Sequence, residues 1–416
     1  MDVKKKNVLY ISYDGMTDAL GQSQVLPYLF GLSELEYTIH LISFEKKEQF
    51  SILNKEISSL CQQNNITWHP LKYTKKPPVF STMWDLFRMS QKAKKLQRQY
   101  SFSLVHCRSY LPGMVGLSLK RKFGVKFLFD MRGFWADERV DGGQWNLNQW
   151  IFKKVYQFFK KQELDLFSNC DECVSLTENG KRELLTWKLN RNDKLTVNVI
   201  PCCVDLNHFD YNRIKDEEKT SYLKKYNIQA DDIVICYLGS LSTVYMFKEV
   251  LDLISKIEEK YNNYKFLIFT HEDQSLVKKY ISQSDIKKVD HIHIDSLKRA
   301  QVPIALSLCS FSIFFCKPSY PRKGTSPTRL AELIACGVSV ISNKDIGDSE
   351  EHIKENNLGY VFDDFKNANF NRFLEDFDLN KDFSKSELRL VSEKLFSLED
   401  GVKKYAAIYK RILDRI

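Results

Sequence analysis

The stretch SPTRLAELIACGVSVIS, residues 326–342, places a single carboxylate, Glu332, among alanines and leucines at helical spacing. Its residue types predict a helix over 327–336. Ser326 suits the N-cap, Pro327 the first helical position, and Gly337 the left-handed residue beyond the end. The first turn of such a helix leaves amide N–H groups unpaired, and with the helix dipole these favour an anion. Arg322, Lys323 and Arg329 add full positive charge at the same end, through a basic loop, YPRKGT, that contains Gly324. A phosphate or pyrophosphate is the ligand this end selects. Glu332 falls one turn past Thr328 on the same face, and an ionised carboxylate offers two acceptor oxygens, enough for both hydroxyls of a ribose. The alternative is a surface glutamate paired with Arg329 three residues earlier. The basic loop and the buried strand that follows favour the nucleotide.

The elements that must position these residues alternate. NVLYIS, YTIHLISF, ITWHPL, SLVHC, VKFLFD, ECVSLT and KLTVNVI read as buried strands, separated by helical segments that include Gln22–Leu35 and a long one over 146–167. The polar, strand-poor segment from Pro201 to Ile228 reads as an inter-domain connection. A second alternation follows, through DIVICYLGSL, YKFLIFT, DHIHI, FSIFFC, VSVIS and LGYVF. With 416 residues the chain suits two domains of about 200 each. We expect an α/β fold of two doubly wound parallel-sheet domains, 1–205 and 206–397, facing a cleft. Ligands of such sheets bind beyond the carboxyl ends of the strands.

Composition narrows the classes. An apolar content of 43% describes a packed protein rather than a disordered one. The apolar run in MDVKKKNVLYIS is too short for a signal peptide, and no stretch reaches membrane-spanning length. Ten cysteines point to a reducing compartment. Cys170 and Cys173 have CxxC spacing but no second pair, so they read as packing residues rather than ligands. The net charge of +9, carried largely in scattered lysine doublets, favours polyanionic partners without choosing among them.

The segment SPTRLAELIACGVSVIS, followed by GDSEEHI and LGYVF, resembles the donor-binding segment of retaining GT-B glycosyltransferases of family 4, the bacterial surface-polysaccharide type. VLYISYDGMTDALGQSQVLPYL resembles that family's first strand and glycine loop, VIPCCVDLNHF its entry to the second domain, and YLGSLSTVYMFKEVLDLI the start of that domain. LEDGVKKYAAIYKRIL resembles its terminal helix, which crosses back onto the first domain and would add residues 398–416 to it. By this resemblance Glu332 matches the second glutamate of an E-x7-E motif and would hold the donor ribose. Gly324 stands where the first glutamate belongs, Ser240 where an arginine is usual, and Met246 where a lysine is usual. The loop Gly239-Ser240 and the cations Arg322, Lys323 and Arg329, with Ser326 and Thr328, are then the donor-binding candidates.

The resemblance implies transfer from a nucleoside-diphosphate sugar, UDP- or GDP-linked, with no metal and no separate cofactor. Fixed hydrogen-bond donors would stabilise the departing diphosphate. In FLFDMRGFWADERVDGG, Asp130 and Arg132 end a buried strand, where charge is expensive unless paired or used. Either they form a structural pair, or Arg132 faces phosphate or acceptor while Asp130, Asp137 or Glu138 binds sugar hydroxyls. Asp130, Arg132 and Glu138 are accordingly the catalytic candidates. Asp18 and Gly21, in the loop after the first strand, and His106 and Arg108, at the end of SLVHC, are the acceptor candidates. Gly21 would let backbone approach a ligand, or simply make a tight turn. His106 would face the cleft, or be a core histidine.

The expected acceptor is a lipid-linked or polysaccharide intermediate in cell-envelope glycan synthesis. The expected location is the cytoplasm, with peripheral contact to an anionic bacterial plasma membrane through Lys75, Lys76 and the aromatic stretch VFSTMWDLF. WIFKKVYQFFKKQE is amphipathic and reads either as membrane-facing or, more simply, as covering its own sheet. Nucleic acid is excluded as a partner because the basic doublets are scattered and no binding module is visible. The alternatives are a nucleotide-sugar 2-epimerase of the same fold and a non-catalytic relative that binds sugar nucleotide.

Overall fold

A computed structural model describes residues 6–77, 79–191, 194–241, 244–363 and 370–415. The chain divides into two compact units, Met1–Cys203 with Leu398–Ile416, and Val204–Ser397.

The first unit is built on seven strands: β1 (Lys6–Ser12), β2 (Tyr37–Glu45), β3 (Ile66–Lys72), β4 (Leu104–Arg108), β5 (Lys126–Asp130), β6 (Glu172–Ser175) and β7 (Val197–Val199). They form one parallel sheet in the order β3-β2-β1-β4-β5-β6-β7, so the winding reverses between β1 and β4. Near-continuous apolar runs are required because both faces are covered. Helices Phe80–Tyr100, Tyr110–Phe123 and Trp150–Asn169 pack on one face through Met89, Val115, Leu119, Leu166 and Phe167. On the other face lie helices Leu26–Glu34 and Leu398–Asp414; the latter buries Tyr405, Ile408, Tyr409 and Ile412 at helical spacing.

Three expectations are corrected. The helix expected over Gln22–Leu35 is two, Ala19–Gln24 and Leu26–Glu34, broken at Val25. Pro27 causes the break, since it lacks an N–H and crowds the preceding turn. The long helix starts at Trp150 rather than near 146, because the Asn146 side chain accepts from the Asn148 amide in a turn before it. The supposed connection 201–228 is mostly part of the second unit. Val204, Phe209 and Tyr226 are buried in that core and Leu206, Tyr222 and Ile228 pack against it, while a mostly polar helix, Asp216–Lys225, faces solvent.

The second unit carries β8 (Ile233–Leu238), β9 (Tyr264–Phe269), β10 (Ile292–Asp295), β11 (Phe311–Ile313), β12 (Ser339–Asn343) and β13 (Gly359–Phe362). These are also all parallel, in the order β10-β9-β8-β11-β12-β13, with the reversal between β8 and β11. The loops leaving those two strands are stitched together. Tyr245 bridges Cys316 antiparallel, the Met246 amide donates to Phe315 O at 3.0 Å, and that of Lys317 to Val244 O at 2.9 Å. Asn343, at the end of β12, holds both the amide and the carbonyl of Cys316.

Candidate active site

The helix that carries Glu332 runs Thr328–Ala335 and ends in a Schellman motif. Gly337 adopts φ +71°, its amide donates to Ile334 O, and Val338 donates to Leu333 O at 3.0 Å. Its start corrects the expectation by one residue: Pro327, with ψ 114°, occupies the N-cap position, and Ser326 lies outside. A proline there has no side-chain oxygen to offer the first amides.

Around this end the cations separate by environment. Arg322 is buried in the 3-10 turn Tyr320–Gly324, its carbonyl accepting from Gly347 at 2.8 Å and its Nε donating to Ser319 Oγ at 3.4 Å. Gly324 is buried in the same turn. Lys323 is exposed beside the Tyr320 ring. Ser326 and Thr328 are half-buried. Arg329 turns inward instead of along its helix. Its guanidinium stacks on the Tyr245 ring at 4.1 Å, with Tyr237 and Phe314 at 5.8 and 5.7 Å. Its Nη1 is buried and, among the described residues, has no hydrogen-bond partner. It meets Gly239, whose φ of +135° aims the backbone so closely that a Cβ there would sit 2.3 Å from Arg329 Nη2. The guanidinium therefore occupies the loop between Gly239-Ser240 and Tyr245-Met246, where the sequence lacks the usual arginine and lysine.

Glu332 is not the surface partner of Arg329: no ion pair joins them, and among the described residues its carboxylate accepts no hydrogen bond. The side chain keeps one edge open to solvent, yet protein crowds the rest. Burial pushes its pKa up to about 7, against the opposing pull of the Arg299 and Arg329 charges. Beside Gly239 and Ser240, beyond the carboxyl ends of β8 and β9, lies a cavity of about 260 Å³ that also touches Thr270, His271, Glu272 and Leu297. The cavity adjoins the loop after β8, one strand aside from the β8/β11 switch point where open α/β folds take their ligands. A larger open groove, about 760 Å³, runs along β3 and is lined without a charged side chain.

The corresponding edge of the first unit is closed. Asp130 is 1% exposed and accepts from Tyr405 Oη at 3.0 Å, with His106 Nε2 at 3.7 Å and Arg132 Nη1 at 3.8 Å. Burial raises its pKa, but the Arg132, His106 and Arg108 neighbours outweigh that and hold it below the usual carboxylate value. His106 is 2% exposed, hydrogen-bonded to Tyr409 Oη at 2.7 Å and held neutral by burial. Arg132, at φ +59°, donates to Cys202 Sγ. Arg108 is buried and donates to Asp14 Oδ2 at 3.1 Å. The pair reading of Asp130 and Arg132, and the core reading of His106, describe what the structure contains. Glu138 stands half-buried on the helix Trp135–Asp141, and Asp18 pairs with Lys46 at 2.8 Å. Gly21 lies inside the helix Ala19–Gln24 rather than in a turn, and a Cβ there would lie 2.1 Å from the carbonyl oxygen of Gly15, so the close approach is to the chain's own loop.

Sequence reasoning missed Glu45. This buried carboxylate, at the end of β2, accepts from the Met16 and Thr17 amides at 2.8 and 3.0 Å and from Thr17 Oγ1 at 2.6 Å, clamping the glycine loop. Its signal was the same as that of Asp130, an acid closing an apolar strand. Thr270, His271, Glu272 and Arg299 were also missed, and no local pattern marks them.

Two parallel sheets of seven and six strands, each wound in both directions, define the GT-B architecture. Glycosyl transferases group 1 matches residues 218–389, and Glycosyltransferase Family 4 matches residues 30–208. The chain belongs to the GT-B glycosyltransferases of the family 4 type. A glycosyltransferase from Rickettsia africae ESF-5 superposes with a TM-score of 0.69 at 17% identity, over 99% of this chain and 100% of its own. Sucrose-phosphate synthase from Thermosynechococcus elongatus gives 0.70 at 15% identity, over 98% and 99%. Anabaena HepE in complex with UDP and glucose gives 0.68 at 11% identity, over 98% and 100%. No curated protein matches the chain.

Proposed function

We propose that the second unit binds a nucleoside-diphosphate sugar at the β8/β11 switch point, and that the enzyme transfers the sugar with retention to a lipid-linked or polysaccharide acceptor of the cell envelope. The observation that carries this is a pair of unused charges at one edge. The Glu332 carboxylate, crowded by protein, accepts no hydrogen bond among the described residues, and the buried Arg329 Nη1 has no partner there either. Unpaired polar groups at such depth are costly, and a ligand that pairs both recovers the cost. Glu332 takes the two ribose hydroxyls. Arg329, in the loop that lacks the family's basic residues, takes the diphosphate with the amides of the Thr328 helix. The cavity beside Gly239 receives the base. HepE, a neighbour of the same fold, binds UDP and glucose in its complex, and UDP sugars are accordingly the first donors to test beside GDP sugars.

In the reaction the bond from anomeric carbon to diphosphate oxygen breaks, the acceptor oxygen bonds to that carbon on the same face, and its proton passes to the leaving phosphate. The donor cations offset the charge that develops, so neither metal nor dedicated base is required. Calorimetry of UDP and GDP sugars with the Glu332→Ala variant tests the donor site. A charged hydrogen bond contributes about 1.5–3 kcal/mol, so affinity falls roughly 10- to 150-fold. Unchanged affinity overturns the assignment. Proton NMR of the product's anomeric centre reads retention, and turnover in excess chelator reads metal independence.

A second reading, a binder without turnover, is favoured by one observation: Arg329 fills the space beside Gly239. Donor hydrolysis or transfer by the purified chain excludes it. Product formed without any acceptor would indicate the epimerase instead.

A further inference from the structure

We infer that the first unit docks on an anionic lipid bilayer through the amino-terminal halves of two neighbouring helices, Phe80–Tyr100 and Trp150–Asn169. The inference rests on the lipid-linked acceptor reading for its purpose, while its physical grounds are independent of it.

The first helix carries two apolar stripes where one is needed. Ser81, Asp85, Met89, Ala93 and Leu96 face the sheet and are buried. Phe80, Met83, Trp84 and Phe87, at the i, i+3, i+4, i+7 spacing of a second stripe, are 71%, 62%, 55% and 52% exposed. The rings of Trp84 and Phe87 stack at 5.8 Å on that open side. The second helix repeats the arrangement. Phe159, Leu166 and Phe167 are buried, whereas Trp150, Ile151 and Phe158 stand out. Contiguous apolar patches of this kind mark an interaction surface rather than ordinary scatter.

The two patches share one side of the unit. Both helices pack on the same sheet face, with Tyr110–Phe123 between them. Tyr13, in the loop after β1, donates to Asp85 on the first helix at 3.0 Å and packs in the cluster that holds Val155 and Tyr156 of the second. The patches therefore flank the carboxyl edge of the first sheet.

Charge decides the occupant. Beyond Arg88 and Lys160, which pair with Asp85 and with Asp137 and Glu163, the first helix carries Lys92, Lys94, Lys95 and Arg98, and the second Lys153, Lys154 and Lys161. Exposed Lys75 and Lys76 precede the first. Every carboxylate on the two helices is already engaged. Asp85 is buried against Thr74, Tyr13 and Arg88; Glu163 against Lys160 and Tyr110; and Asp165 pairs with Arg121. A second copy seated on this face would set these cations against themselves, which is repulsive. An anionic bilayer accepts both features at once: aromatics enter the interface, and each basic residue near the surface adds roughly fivefold in binding.

The experiment is flotation of the full chain with vesicles of equal phosphatidylglycerol and phosphatidylcholine, compared with phosphatidylcholine alone. The wild-type chain is expected to float with the anionic vesicles only, with a blue shift in tryptophan emission and release by salt. Trp84→Ser with Phe87→Ser, and separately Trp150→Ser with Ile151→Ser, are expected to lower partitioning by roughly tenfold or more, from the loss of buried apolar side chains. These residues are solvent-exposed, so UDP binding by calorimetry remains that of the wild type. The inference is overturned by a wild-type chain that stays unbound, by variants that partition equally, by equal binding to neutral vesicles, or by a dimer in light scattering that the substitutions dissociate. Loss of nucleotide binding in the wild type would sink the donor assignment alone.

Discussion

The carboxyl edges of the two sheets have the same topology and opposite chemistry. At the first, charged residues that end strands are buried and face one another: Asp130 with Arg132, His106 and Tyr405, Arg108 with Asp14, and Glu45 with the Met16–Thr17 amides, although Asp130 Oδ1, Arg132 Nε and His106 Nε2 make no hydrogen bond among the described residues. At the second, Glu332 and Arg329 lie within the same helix turn, yet among the described residues the acid accepts no hydrogen bond, and the guanidinium leans on aromatic rings with its Nη1 unpartnered. Charges that face one another inside the first unit hold its loops in place, whereas an acid without a protein partner beside a cavity is a candidate for a ligand.

Substitution should separate the two edges. Asp130→Ala leaves Arg132 buried without its anion and is expected to cost about 3–5 kcal/mol of stability, measured by urea unfolding. A loss under about 1 kcal/mol would mean that these charges do not hold the first edge in place. Glu332→Ala is expected to do the reverse, leaving stability unchanged or raised near neutral pH because it removes an unpaired acid, while weakening nucleotide sugar binding by about 1.5–3 kcal/mol. Gly239→Ala tests the contact between loop and guanidinium. With a positive φ and a Cβ driven into Arg329, it should destabilise by more than about 1 kcal/mol and also displace the cation from the site.

The smallest effect is the dependence on pH. Burial raises the Glu332 pKa to about 7, above its unfolded value, so the folded state holds the extra proton. The contribution of Glu332 to stability is therefore full below the unfolded pKa and is lost as pH rises towards 7. Nucleotide affinity moves the other way, strengthening through about 7 as the carboxylate ionises. Glu332→Gln should flatten both profiles, and a wild-type affinity that is level from pH 6 to 8 would contradict the assigned role.

Much of the proposed donor end was legible from local rules. The helix start and its Gly337 stop, the acid within it and the strand after it are set by neighbours in sequence. Gly21 and His106 were not, because their partners, Gly15 and Tyr409, are fixed by a returning loop in one case and by a helix 303 residues away in the other. The Pro201–Ile228 segment misled for a related reason: a few apolar residues in a polar stretch are enough to join a core when the rest of the chain supplies it.

The order of types along the chain thus determined two parallel sheets, the turn chemistry at Gly337 and a carboxylate one turn into a helix, since each depends on periodicity and capping alone. Only the folded chain decided that Arg329 lies against Gly239 rather than beside Glu332, and that Asp130 lies under Tyr405. Pairing and desolvation act through space, and they determine which of two chemically similar charges is left available.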